Sequence, residues 1–313
     1  MNPIVPFVHS LTKKDASTWL IALQLEMPNV NLCHITDLSV SERNGVQVAI
    51  VANPNPADLL ALPNLKWVQS LWAGVEKLVD ELPNKDISIV RLIDPQLSRT
   101  MAEAVLAWTL YLHRNMPEYA KQQAKQEWIQ HDVLTASEKT VGILGLGHLG
   151  QKAAKRLLDN DFNVIGWNSG KRLPNIETFS GDEGLTKVAS LSDILVVLLP
   201  LTLETRGLLN KHFFSQLKNG ASLINFARAD IVDEKALVEG LETRQIKHAV
   251  LDVFLHEPLE KTNPFWKNPH VTVLPHISAT TNKHTALQVV AKNIREYFDS
   301  NKIPQSISRE TGY

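Results

Sequence analysis

Short apolar runs alternate with helix-like segments along the whole chain. In the first 95 residues, helical character at Ser17–Glu26 is followed by strand-like runs at Val46–Val51 and Leu65–Leu71, which is typical of an α/β unit. From Thr140 onward the runs become continuously apolar, the pattern of parallel strands that are covered on both faces. These runs lie at residues 140–144, 162–167, 194–199, 222–226, 249–254 and 271–274.

Helical spacing marks the two ends of this second region. Met101–Arg114 has apolar residues at helical spacing, the chain then becomes polar through Gln130, and Asn282–Asp299 again looks helical. We therefore place a domain boundary near residue 98 and expect the last helix to return the chain to the first domain. The predicted domains are residues 1–98 plus 282–313, and residues 99–281.

The strand predicted at residues 140–144 runs directly into three glycines, Gly145, Gly147 and Gly150, and the segment that follows, Gln151–Leu158, has helical character. A G-x-G-x-x-G sequence between a strand and a helix is the fingerprint of dinucleotide binding, because the helix N-terminus offers N–H groups to a pyrophosphate. On this stretch alone, an ordinary glycine turn is the alternative.

Composition narrows the class of protein. The chain has 313 residues, of which 44% are hydrophobic and 21% charged, a balance that suits two globular domains. Its net charge of -1 provides no electrostatic footprint for nucleic acid or an anionic membrane. A single cysteine, Cys33, excludes an intramolecular disulfide, and the longest apolar run, Ile194–Leu201, is too short to span a bilayer. We expect a cytoplasmic protein.

Four reactive side chains follow predicted strands. Ligands of an open parallel sheet bind outside the carboxyl ends of its strands. Arg228 comes just after one run, Asp252 and Glu257 lie at and beyond the end of another, and His276 follows the last. Taken singly, Arg228 could be a surface ion pair, Glu257 a turn residue and His276 a strand-end cap, but their common position favours one site.

Three of these residues have side chains that suit proton donation and the binding of an anion. A carboxylate beside a histidine favours the imidazolium form, which donates protons, and Glu257 is the candidate neighbour of His276. An arginine such as Arg228 can bind a carboxylate in bidentate fashion and polarise an adjacent carbonyl. His270 lies roughly 20 Å from His276 along one strand, so the two share no metal, and no metal site is predicted.

The segment Ser70–Val75 is a second candidate contact with substrate. Here a strand runs into small residues that leave backbone N–H groups approachable, and a carboxylate could dock there. A plain strand-to-helix turn explains the same residues equally well.

These motifs together resemble the D-isomer-specific 2-hydroxyacid dehydrogenase family, and within it the glyoxylate/hydroxypyruvate reductase A branch. The branch is suggested by Trp72-Ala73-Gly74-Val75 and by the closing Gly312-Tyr313. The other matching stretches are residues 141–150, 198–205, 224–228, 251–254, 257–259 and 275–277.

The resemblance implies both a fold and a set of roles. The fold is a doubly wound parallel sheet (Rossmann) coenzyme domain inserted in a smaller flavodoxin-like α/β substrate domain, and the family usually forms dimers. Arg228 would bind the 2-oxo acid, His276 would protonate its carbonyl oxygen, and Glu257 would support His276. The implied substrate contacts are Trp72, Ala73, Gly74 and Val75. The implied cofactor contacts are Gly145, Gly147, His148, Leu149, Gly150, Asn168, Ser169, Lys171, Arg172, Leu199, Pro200, Thr205, Ala227 and Asp252, the last on the nicotinamide side.

Two departures from the family pattern concern specificity. Ala229-Asp230 stands where many members have glycine after the arginine, which adds a negative charge close to an anionic substrate. NAD-specific sites have an Asp or Glu about 20 residues past the glycines, where it binds the ribose 2′-OH. This chain has no acidic residue there, and its sequence is Asn168-Ser169-Gly170-Lys171-Arg172. Lys171 and Arg172 could instead neutralise a 2′-phosphate, or they could be two solvated charges in a turn.

The function that we expect is NADPH-dependent reduction of small 2-oxo acids such as glyoxylate and hydroxypyruvate, with NAD a possible cofactor, in a homodimer. Trp72 favours a small pocket. Two alternatives stay open: a dehydrogenase of a bulkier 2-hydroxy acid, and a non-catalytic dinucleotide-sensing protein on the same scaffold.

Overall fold

The computed structural model describes residues 2–82, 86–132, 134–170 and 173–308. Its contacts divide the chain into two compact units, residues 1–96 with 281–313, and residues 97–280. The predicted boundaries, 98 and 282, differ from this division by two residues and one residue.

The first unit is built on five parallel strands in the order β2-β1-β3-β4-β5. This is the flavodoxin-like order. The strands are β1 (Ile4–His9), β2 (Asn31–His34), β3 (Val48–Ala52), β4 (Trp67–Ser70) and β5 (Ser88–Val90), and the helices between them are α1 (Lys13–Glu26), α2 (Val40–Arg43), α3 (Pro56–Leu60) and α4 (Glu76–Glu81).

The central strand of this unit explains why the sheet is covered on both faces. Every residue of β3 is buried, since it is a continuous apolar run that has to be shielded above and below. Helix α1 begins where the hydroxyl of Thr12 accepts a hydrogen bond from the backbone N–H of Asp15 at 3.2 Å. The last helix of the chain packs against the same core cluster as α1.

The second unit holds seven parallel strands in the order β12-β11-β10-β9-β6-β7-β8, which is a doubly wound Rossmann arrangement with one added strand. The strands are β6 (Thr140–Leu144), β7 (Asn163–Trp167), β8 (Glu177–Phe179), β9 (Ile194–Val197), β10 (Ala221–Asn225), β11 (Ile246–Leu251) and β12 (Val271–Val273). The helices are α5 (Pro95–His113), α6 (Met116–Lys125), α7 (His148–Leu158), α8 (Gly181–Leu191), α9 (Lys211–Ser215) and α10 (Glu234–Glu242), and α11 (Lys283–Ser300) returns to the first unit.

The register of the last three strands aligns their carboxyl ends. Asn225 of β10 pairs with Leu251 of β11, which in turn pairs with Val273 of β12. Residues that directly follow these strands therefore leave the sheet side by side, at the edge where ligands of such sheets bind.

The predicted fold class is confirmed, whereas several elements differ from the prediction. Helix α6 lies in the stretch that reads as merely polar, because few of its residues are apolar. The strand predicted at 249–254 is β11, Ile246–Leu251; its first residues include Lys247 and His248, whose polarity hides the start, and the apolar residues after Leu251 lie beyond the strand. The sequence pattern also missed β1, β2, β5 and β8.

None of the helices within the described residues has the length and apolar character that a membrane span requires.

Replacing Gly142 of β6 with alanine should destabilise the second unit by about 1–3 kcal/mol. The new Cβ would stand 2.0 Å from Oγ of Ser192, a fully buried side chain that donates to the carbonyl of Val188 at 2.6 Å. Urea unfolding followed by circular dichroism measures the change. Gly45→Ala is the matched control, since its Cβ would meet nothing closer than 3.4 Å. Equal losses in the two variants would contradict this account of Gly142.

Candidate active site

The glycine loop has the shape that a dinucleotide pyrophosphate needs. Gly145 has a left-handed φ of +99°, and a Cβ there would lie 2.7 Å from the backbone of Leu198. A Cβ on Gly150 would lie 1.9 Å from the carbonyl oxygen of Gly145. Both positions therefore require glycine. Gly147 is exposed with open space around its missing side chain, so the loop leaves room for a ligand on that side.

Helix α7 begins directly in this loop. Gly147 is its N-cap and brings no side chain, so no side-chain hydrogen bond caps the first N–H groups. His148, the first residue of the helix, is exposed, and Leu149 is half-buried. Free N–H groups at the start of an 11-residue helix favour an anion. The residues present therefore fit the pyrophosphate of a dinucleotide.

The loop after β7 carries the predicted selectivity residues. The side-chain oxygen of Asn168 accepts a hydrogen bond from the backbone N–H of Gly170 at 2.8 Å, which closes a tight turn with φ of +105° at the glycine. Ser169 and Gly170 are exposed and none of the three is acidic. Lys171 and Arg172, on which the predicted preference for NADPH depends, lie outside the described residues.

The segment after β9 borders the glycine loop. The backbone N–H of Leu198 donates to the carbonyl of Leu144 at 2.8 Å. Thr205, only 7% exposed, donates its hydroxyl to the carbonyl of Pro200 at 2.7 Å and accepts from the N–H of Thr202 at 2.8 Å. These bonds fix the path of the segment. Of the other predicted cofactor contacts nearby, Leu199 and Ala227 are buried.

His276 and Glu257 form a hydrogen-bonded pair. Nδ1 of His276 lies 2.8 Å from Oε2 of Glu257, whose other oxygen accepts from the backbone N–H of Phe254 at 3.0 Å. Since a carboxylate only accepts, Nδ1 carries the proton, and Nε2 is left to exchange a proton with a ligand. The imidazole side chain is 54% exposed. In this arrangement Glu257 orients the ring, and His276 can act chemically as an acid.

Asp252 holds the backbone that presents His276. Its carboxylate is 2% exposed and accepts from the N–H of Ile277 at 2.7 Å and from the N–H of Ser278 at 2.9 Å. His276 itself has φ of +55°, a left-handed conformation that non-glycine residues rarely adopt without support. The two hydrogen bonds supply that support. The sequence prediction placed Asp252 near the cofactor and did not anticipate this role toward the backbone.

Arg228 leaves the sheet beside these residues. The buried amide of Asn225, at the end of β10, donates to the carbonyl of Arg228 at 3.0 Å and accepts from the N–H of Ala227 at 3.1 Å. The guanidinium donates to the carbonyl of Ala227 at 2.7 Å and is half-buried. Arg228, Asp252 and His276 thus follow three neighbouring strands, as the sequence predicted. Asn225 was missed, because an amide inside an apolar strand does not indicate a functional residue.

The negative charge of Asp230 has a partner. Its carboxylate forms an ion pair with Arg206, which lies just after the segment that borders the glycine loop. The backbone carbonyl of Asp230 also accepts from the N–H of Gly207 at 2.8 Å. The charge that the sequence places near an anionic substrate is therefore compensated by an arginine. Sequence reasoning missed Arg206, since 24 residues separate the two.

In the first unit, the predicted carboxylate-docking loop connects β4 to α4. No hydrogen bond to the N–H groups of Ala73, Gly74 or Val75 is found within the described part of the chain. The ring of Trp72 packs edge-to-face on Trp19, with 6.0 Å between centroids. The loop therefore has N–H groups to offer, while the Trp72 side chain joins the core cluster of its own unit.

Among the described residues, no group of three or more His, Cys, Asp or Glu side chains is placed to hold a metal ion.

Comparison with known proteins places this site in a family. The sequence profile of the D-isomer specific 2-hydroxyacid dehydrogenase NAD binding domain matches residues 106–278. The glyoxylate/hydroxypyruvate reductase A of Photorhabdus laumondii is 35% identical over 289 residues, covering 90% of this chain and 91% of the relative.

Solved structures agree with the sequence comparison. A D-isomer specific 2-hydroxyacid dehydrogenase from Xanthobacter autotrophicus Py2, in complex with NADPH and MES, matches with a TM-score of 0.90 and 36% identity over 99% of both chains. The NADPH-dependent glyoxylate/hydroxypyruvate reductase of Sinorhizobium meliloti, in complex with NADP and sulfate, matches with a TM-score of 0.88 and 31% identity, covering 99% of this chain and 100% of that one.

The chain belongs to the D-isomer specific 2-hydroxyacid dehydrogenase family and is therefore an NAD(P)-dependent oxidoreductase. Within that family it falls in the glyoxylate/hydroxypyruvate reductase A branch.

Arg206→Gln should raise the KM for a 2-oxo acid about two- to fivefold with little change in kcat, because Asp230 would then repel the substrate anion. The pair is partly exposed, which limits the effect. Steady-state kinetics at low ionic strength measure it, and added salt should diminish it. Adding Asp230→Asn to Arg206→Gln should restore the KM. A double variant no better than the single one would show that Arg206 does not act through Asp230.

Proposed function

We propose that the protein is an NADP-dependent reductase of small 2-oxo acids, with glyoxylate and hydroxypyruvate as substrates. The observation that carries the proposal is the His276–Glu257 pair, presented by Asp252 on the strand ends that Arg228 also follows. An anion clamp next to a proton donor is what reduction of a 2-oxo acid requires. The names of its curated relatives support the substrate class.

We propose NADP as the cofactor, with the pyrophosphate at Gly145–Gly150 and the 2′-phosphate at Asn168–Arg172. The absence of an acidic residue at 168–172 and the basic pair Lys171 and Arg172 support this choice. The two similar structures described above hold NADPH and NADP, which supports it independently. When bound, the reduced nicotinamide supplies the hydride for the 2-oxo carbon.

In this proposal the residues of the chain bind the substrate and supply the proton. Arg228 holds the substrate carboxylate and polarises the adjacent carbonyl. His276 donates the proton on Nε2 to the carbonyl oxygen, while Glu257 fixes the orientation of the ring through Nδ1.

His276→Ala should lower kcat by about 10²- to 10⁴-fold, because it removes the proton donor, while leaving the Kd for NADPH nearly unchanged. Turnover is measured by the loss of NADPH absorbance and binding by isothermal calorimetry. The control is His284→Ala, an exposed histidine on α11 whose ring contacts Gln288. Full activity in His276→Ala would reject the assignment. Normal NADPH binding by the wild type, without oxidation by any 2-oxo acid, would favour the dinucleotide sensor.

A panel of 2-oxo acids assayed with NADPH and NADH tests substrate and cofactor together. We expect the highest kcat/KM for glyoxylate or hydroxypyruvate with NADPH. Replacing both Lys171 and Arg172 with glutamine should lower kcat/KM for NADPH about 10- to 100-fold and leave that for NADH nearly unchanged. Lys187→Gln, at an exposed position on α8, is the control. A wild-type preference for NADH would overturn the cofactor proposal, and a preference for longer 2-oxo acids would overturn the substrate proposal.

We also propose that the protein is a cytoplasmic homodimer, joined through apolar side chains that the second unit leaves exposed. The ones that lie between residues 110 and 134 are Leu110, Met116, Trp128, Ile129 and Leu134, and Trp128 is 94% exposed. Five exposed apolar side chains within 25 residues of chain support an interface in this segment. Trp128→Ser should shift the mass in light scattering from dimer toward monomer. Leu25→Ser, at a 78% exposed position on α1, should not. A monomeric wild type would contradict the proposal.

A further inference from the structure

Basic side chains gather at the amino ends of β10, β11 and β12, the opposite ends of these strands from Arg228, Asp252 and His276. We call them the basic cluster: Lys121, Arg244, Lys247, His248 and His270. Within the described residues, Glu118 is the carboxylate that pairs with the cluster. Its Oε1 lies 3.0 Å from Nζ of Lys121. The cluster holds three cations, Lys121, Arg244 and Lys247, and in the described part of the chain only the first is ion-paired, which leaves an excess of positive charge.

His270 is the point where two of the cations converge. Nζ of Lys121 lies 2.9 Å from Nδ1 of His270, and Nη1 of Arg244 lies 2.8 Å from the same nitrogen. Because both cations donate to Nδ1, this nitrogen is the acceptor and carries no proton. His270 is therefore neutral, with its proton on Nε2. Burial lowers the pKa of His270, and Lys121 and Arg244 lower it further. Two cations held this close to each other favour an anion that could bridge them.

Arg244 is placed at this point by an uncommon backbone. It follows α10 with φ of +65°, a left-handed conformation more usual for glycine at a helix end. Its side chain is exposed, and within the described residues His270 is its hydrogen-bond partner and no carboxylate pairs with it. The guanidinium is therefore available from solvent for an oxyanion, which its planar fork can bind with two hydrogen bonds.

A small cavity of about 10 Å³ beside Glu118 contains one buried ring nitrogen without a partner among the described residues. It is lined in part by Asn115, Ser222, Lys247 and His248. His248 is 4% exposed; its Nε2 bonds the hydroxyl of Thr272 at 2.9 Å, while Nδ1 is buried with no hydrogen-bond partner in the described structure. Burial, followed by the charge of Lys121, lowers the pKa of His248 to about 4. Because the ring of His248 is neutral, it does not balance the positive charge of the cations around it.

We propose that the basic cluster is a binding site for a phosphate-type dianion, contacted by Lys121, Arg244 and His270. On binding, Lys121 and Arg244 turn from Nδ1 of His270 to the oxyanion, and His270 takes up a proton that its new neighbour stabilises. Glu118 remains paired with Lys121, and its negative charge limits the affinity of the cluster for the dianion. The site lies at the far ends of the strands from the glycine loop and His276, so it is separate from the cofactor phosphates and from the 2-oxo acid.

Calorimetric titration of inorganic phosphate into the full-length protein, saturated with NADPH at pH 7.5, tests the site. Saturating NADPH occupies the cofactor phosphate positions. We expect saturable binding with a Kd in the millimolar range or tighter, weakened about 10- to 100-fold in Lys121→Gln and in Arg244→Gln. Lys155→Gln, an exposed lysine on α7 paired with Asp159, is the control and should bind phosphate like the wild type.

A second readout reports on His270 directly. With ¹⁵N-labelled histidine, phosphate should move the ring nitrogens of His270 toward the imidazolium shifts in the wild type and not in Arg244→Gln. Both variants should keep wild-type NADPH binding and kcat, which shows that they fold. The proposal is overturned if wild-type protein shows no saturable binding, or if Lys121→Gln and Arg244→Gln bind phosphate as tightly as wild type.

Discussion

The candidate active site depends on the two hydrogen bonds that the Asp252 carboxylate accepts from the backbone of Ile277 and Ser278. They support His276 in a left-handed conformation that its side chain disfavours, and that conformation presents the imidazole to Glu257. A buried carboxylate is costly without hydrogen-bond donors, and a left-handed histidine is costly without anchoring. The same pair of hydrogen bonds offsets both costs and holds the backbone that carries His276.

The register of the parallel sheet extends this local constraint to the whole site. Because Asn225, Leu251 and Val273 pair in line, the chain leaves β10, β11 and β12 at one edge, and Arg228, Asp252 and the turn before His276 are neighbours without further adjustment. The same alignment brings the amino ends of these strands together, where Lys247, His248 and His270 collect. One sheet thus separates two groups of charged residues by the length of its strands.

The fold class and the order of the site along the chain could be predicted from the sequence because they depend on local patterns. Gly145 and Gly150 are recognisable since no other residue fits where a backbone comes within 3 Å of the missing Cβ. What could not be predicted depends on contacts between residues distant in sequence. The pairing of Arg206 with Asp230 and the use of Asp252 as a backbone anchor leave no local trace, and the polar composition of α6 conceals a helix.

The most direct test of the account is the fate of the hydride. The protein would be incubated with glyoxylate and NADPH that carries deuterium at the reactive C4 position, and the mass of the 2-hydroxy acid product would be determined. We predict one deuterium on the 2-carbon of each product molecule, because in the proposed reaction the hydride comes from the nicotinamide and the proton from solvent through His276. Product without deuterium, or no product from protein that binds NADPH normally, would contradict the assignment of this site as a 2-oxo acid reductase.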